Sequence, residues 1–82
     1  MARIRWQDHV IIDPKLHHGD PCIKGTRIPI STLVASLADG MTPTEVQEYY
    51  PQLTIDNIFG ALAYAAEVLR QESLIPLVAK AV

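Results

Sequence analysis

Cysteine is nearly absent: Cys22 is the only one among 82 residues. A lone thiol closes no internal disulfide and supplies no CxxC pair for zinc. This fits a reducing cytoplasm and reads Cys22 as a small buried hydrophobe rather than a nucleophile. No apolar run approaches the roughly 20 residues that span a bilayer, and no N-terminal stretch resembles a signal peptide, so no membrane partner is expected. Enzyme signatures are missing too: there is no GxSxG, no Walker-type glycine loop and no paired acids with an obvious cleft. The adjacent His17 and His18 with Asp20 lack a second ligand pair and anything to orient them, so they read as solvated rather than as a metal or catalytic site. Neither a cofactor nor a metal is expected. His9 likewise has no partner in the sequence.

A strong charge of one sign is also lacking, the formal net charge being −2. Its distribution is uneven. Residues 1–30 hold five lysines and arginines against three aspartates, whereas residues 31–82 hold two against six acidic residues. A basic arm is thus joined to an acidic body.

The chain does carry 49% hydrophobic residues, more than one core in so short a domain comfortably hides. Surplus apolar surface points to a homodimer or another protein interface. The organisation reads as a β arm with a hairpin over residues 1–30, a helical body over 31–72 and an apolar tail over 73–82.

In the arm, Val10 to Ile12 reads as a strand ended by the Asp13-Pro14 turn signal, with Trp6 capping the apolar face of the small sheet. The stretch from Gly19 to Pro29 reads as strand, turn, strand, with Gly19, Pro21 and Gly25 as turn residues and Ile23-Lys24-Gly25-Thr26 as the turn itself.

The body opens with a helix starting at Ser31 or its neighbour, carrying Leu33, Val34, Leu37 and Ala38 and ending at Gly40. Thr42-Pro43-Thr44-Glu45 is a complete capping box for a second helix that Pro51 stops. Thr54 begins the third and longest, running to about Glu72 with Asp56 in its first turn. Ile58, Leu62, Ala65 and Leu69 form its expected inner stripe, and Ala61, Ala63 and Ala66 allow close helix approach. Of Tyr49 and Tyr50, one is expected in the core and one partly exposed.

The fold class is therefore mainly α with a small N-terminal β-hairpin or sheet and a three-helix, helix-turn-helix-like (homeodomain-like) body. In such a motif the third helix meets base edges, yet its first two turns offer Asp56 and Asn57 but no lysine or arginine. DNA binding then needs the basic arm, since phosphate neutralisation supplies most affinity. The candidate nucleic-acid or partner contacts are Arg3, Arg5, Lys24, Thr26, Arg27 and Asn57. Arg27 has a competing role as the ion-pair partner of Asp13, Asp20 or an acid of the body.

Gly19-x-Pro21, Ile23-x-Gly25-Thr26-Arg27-Ile28-Pro29, Asp39-Gly40-Met41-Thr42-Pro43-x-Glu45-Val46, Tyr50-Pro51-x-Leu53-Thr54 and Ala61-Leu62-Ala63-Tyr64-Ala65 together closely resemble the small bacterial family known as domain of unknown function 433. The resemblance runs from about Ile11 to Glu67, with Cys22 standing where a larger apolar residue is commoner. It implies a non-enzymatic antitoxin that binds a PIN-like ribonuclease toxin, and the helix-turn-helix order could serve binding to its own operator DNA. The alternative is a protein-interaction adaptor of the same fold that does not contact DNA.

Overall fold

A computed structural model describes residues 4–15 and 17–71. Arg3 and the tail over 73–82 lie outside the described residues. After a 3-10 turn at Trp6–Asp8 come two short strands, β1 (Val10–Ile11) and β2 (Cys22–Ile23), and then three helices, α1 (Ile30–Ala38), α2 (Pro43–Tyr49) and α3 (Ile55–Gln71). The strands pair antiparallel, with Val10 opposite Ile23 and Ile11 opposite Cys22. Among the described residues the protein is thus three helices with a two-stranded sheet near its N-terminus.

The expected turn is present: the Thr26 N–H donates to the Ile23 carbonyl at 3.0 Å, and Gly25 has φ +78°. The hairpin's second arm is reduced. Only one bridge, Cys22 to Pro29, joins the two arms, because proline has no N–H with which to continue a ladder. β2 takes β1 as its strand partner instead. The Cβ of any residue replacing Gly25 would meet nothing within 4 Å, so a substitution there is strained by its backbone alone. Gly25→Val should lower stability by roughly 1 kcal/mol or more, while Lys24→Ala should leave it unchanged. Coincident urea midpoints for the two variants would place the strained turn elsewhere.

Helix starts and stops follow their local chemistry. Thr42 Oγ1 accepts from Glu45 N–H at 3.1 Å while Glu45 Oε1 accepts from Thr42 N–H at 2.8 Å, and Pro43 occupies the first turn of α2. Thr54 and Asn57 form the same reciprocal pair at the start of α3, at 3.0 and 2.9 Å. Each pair satisfies amides that the first turn leaves without helical partners. α1 has no side-chain cap, and Pro29 leads into it. Gly40, at φ +103°, turns the chain out of α1.

The core is one cluster: Val10, Ile23, Ile28, Ile30, Leu33, Val46, Leu53, Ile58 and Ala61, drawn from β1, β2 and all three helices. Tyr50 packs against it and Tyr49 is exposed. The inner face of α3 differs from the expected stripe. Ile58, Gly60 and Ala61 are buried, whereas Leu62 and Leu69 are exposed. The helix is rotated because Gly60, lacking a Cβ, lets the N-terminal segment lie directly against it at His9. Trp6 packs against the core cluster that includes Val10 and Ile23 of the sheet and lies edge-on to Tyr64 of α3, ring centroids 5.0 Å apart.

Candidate functional site

The hairpin tip holds two of the predicted contact residues with their charges outward. Lys24 and Arg27 are exposed, and neither forms an ion pair with a described residue. The competing role for Arg27, a bond to Asp13 or Asp20, is therefore not made. Thr26 is occupied within the turn. Its hydroxyl donates to the Ile23 carbonyl at 2.9 Å and accepts from Ile28 N–H at 3.0 Å, so it fixes the loop from which Arg27 projects. Arg5 sits apart on the N-terminal 3-10 turn, 3.6 Å from Asp8 in an exposed pair that contributes little to stability.

Asn57 is engaged at both ends of its amide. The oxygen accepts from Thr54 N–H, which orients the nitrogen toward His9 Nδ1 at 3.0 Å. The amide therefore donates, the imidazole accepts at Nδ1, and the ring proton belongs on Nε2. His9, which shows no partner in the linear sequence, finds one 48 residues away. Gly60 is the other half of this contact, and its position inside a helix was the only hint of it, since glycine there usually has a packing reason.

Gly19 and Pro21 lie in the loop that leads into β2. Gly19 adopts φ +85° after His18, itself left-handed at φ 56°, and the Pro21 carbonyl accepts from Ile30 N–H at the head of α1. Cys22 is buried, 3% exposed. Burial pushes its thiol up from its ordinary value, and the nearby Asp20 charge pushes it the same way, so it stays protonated and inert at neutral pH. Among the described residues no group of three or more His, Cys, Asp or Glu stands together to hold a metal ion.

A shallow groove of about 330 Å³ runs along the edge where the start of α1 meets the last turns of α3. Pro21, Ile30, Tyr64, Ala65, Val68 and Leu69 line it, with Ser31 at its rim. Its floor offers carbon, and the only side-chain polar groups among its described lining residues are the hydroxyls of Ser31 and Tyr64. Such a wall suits an apolar group.

A three-helix body headed by a two-stranded ribbon, with an apolar groove and a basic hairpin tip, defines a small, mainly helical domain. The chain belongs to the family described as protein of unknown function (DUF433), whose model matches residues 10–65. The crystal structure of a DUF433 member from Anabaena variabilis ATCC 29413 is similar, at 34% identity and a TM-score of 0.72. The match covers 79% of this chain and 64% of that one, so the chain spans less than two thirds of that neighbour's length. No curated protein matches. Among the described residues no helix is long and apolar enough to cross a membrane.

Proposed function

We propose that the chain is a non-enzymatic cytoplasmic antitoxin that acts as a homodimer and binds a PIN-like ribonuclease toxin. The groove between α1 and α3 carries this reading, because among the described residues it is a concave, mostly apolar surface of the kind that receives an apolar group. An apolar side chain or helix ridge of the toxin seats there. The PIN-like identity of the partner follows from the family resemblance.

Operator DNA is contacted, in this reading, from the hairpin tip through Lys24 and Arg27. The start of α3 is unsuited to it: Asp56 is exposed there, and Asn57 is held by Thr54 and His9. That same acidic first turn favours the second reading, an adaptor of this fold that does not contact DNA.

The test is co-expression with an adjacent reading frame that encodes spaced acidic residues of the PIN type. The wild-type chain is expected to restore growth and co-purify with the nuclease. Val68→Glu, which places a charge on the groove wall, is expected to abolish both while the circular-dichroism spectrum stays helical. Retained toxin binding by that variant would refute the groove as the docking site. For DNA, binding of the upstream region should weaken steeply with salt and fall with Arg27→Ala; an absence of salt-dependent binding selects the adaptor.

A further inference from the structure

The outer side of α3 carries a pattern that its inner side does not use. Ile55, Phe59, Leu62, Ala66 and Leu69 recur at intervals of four, three, four and three residues, which lays one continuous stripe along a helix. Phe59, Leu62 and Leu69 are 42%, 37% and 71% exposed, Ala66 is exposed, and Ile55 is half-buried at the edge of the core. At 1.5 Å rise per residue the stripe is about 21 Å long. Alternation of threes and fours is the spacing of a helix seam that interlocks with a facing helix.

We infer that the facing helix is α3 of a second copy, running antiparallel across a two-fold axis. The inference rests on the homodimer of the proposed function and assigns it a surface. The stripe is self-complementary when reversed: Phe59 meets Leu69 of the second copy, and Leu62 meets its Ala66, a large residue against a small one. Charge selects the same arrangement. Asp56, Ala63 and Arg70 stand seven residues apart and so share one edge of the stripe. In an antiparallel pair like edges meet, which brings Asp56 beside Arg70 of the second copy, Arg70 beside its Asp56, and the two Ala63 residues together at the axis.

A parallel pair would set that edge against the opposite one, where Ile58 is buried in its own core and Ala65 lines the groove, leaving the charges unmatched. Among the described residues of one copy Arg70 pairs with Glu67 alone, at 3.1 Å, with its own side chain largely exposed, a weak surface contact that a second acid can share. The arrangement is isologous, as closed dimers require.

Sedimentation equilibrium of the full chain tests this. The wild type is expected to be dimeric at micromolar concentration, and Leu62→Glu monomeric with its helical spectrum intact. Asp56→Arg should weaken the dimer about tenfold by setting two pairs of like charges face to face, and adding Arg70→Asp should restore it. A monomeric wild type, a dimer indifferent to Leu62→Glu, or a charge exchange without effect would each overturn the inference. Should Leu62→Glu fail to fold, the exposed charge pair decides alone. Leu69 borders both surfaces, so the groove is judged at Val68, which lies outside the stripe: Val68→Glu is expected to lose the toxin and keep the dimer, and a lost dimer with intact toxin binding, or the reverse, assigns each failure to its own surface.

Discussion

Gly60→Ala is expected to destabilise the protein by about 1–3 kcal/mol, the usual cost of overpacking, although in an ordinary helix interior the same exchange gains up to ~1 kcal/mol. The sign reverses because a Cβ at Gly60 would stand 2.7 Å from His9 Cβ and 2.8 Å from its Cγ. His9 has nowhere to retreat. Its N–H donates to the Trp6 carbonyl and its own carbonyl accepts from Lys24 N–H, both at 2.9 Å, and its ring is bonded to Asn57. Urea unfolding measures the loss, and His9→Gly in the same chain should recover part of it by removing the obstructing side chain. A Gly60→Ala variant more stable than wild type would show that the N-terminal segment does not lie against α3.

Leu33→Ala should cost more, about 2–5 kcal/mol, as for other fully buried leucines. Leu33 has no exposed surface and belongs to the cluster in which β1, β2, α1, α2 and α3 meet. With that cluster as the only core among the described residues, the cavity cannot be filled by a second layer. Set against a total stability of about 5–15 kcal/mol, the loss is severe. The melting temperature should fall by roughly 10–30 °C, and calorimetry checks it. A fall of only a degree or two would mean that the helices pack without Leu33.

Features set by neighbours along the chain are legible in the sequence. The capping box at Thr42 and Glu45, the helix start at Thr54, the stop at Pro51 and the left-handed turn at Gly25 each depend on residues within four positions, and each forms as expected. The rotation of α3 is not legible there. Ile58-Leu62-Ala65-Leu69 and the observed inner face share the same helical period, so spacing alone does not choose between them. The choice is made by Gly60 and His9, which lie 51 positions apart. For the candidate site the division is similar. Arg27 and Lys24 are visible as charge, while the groove joins Pro21 to Val68, and no local pattern marks it.

The His9–Asn57 bond also bears on the order in which the molecule assembles. Its two residues are 48 positions apart in a chain of 82, so forming it early would pay the loop-closure entropy of that long separation before any local contact had repaid it. The helices and their caps involve short separations and can form first, with the N-terminal segment arriving last as a latch. A latch made after the rate-limiting step does not speed folding; it slows escape from the native state. On that account the contact of His9 with Asn57 and Gly60 sets the protein's lifetime once folded, more than the ease with which it folds.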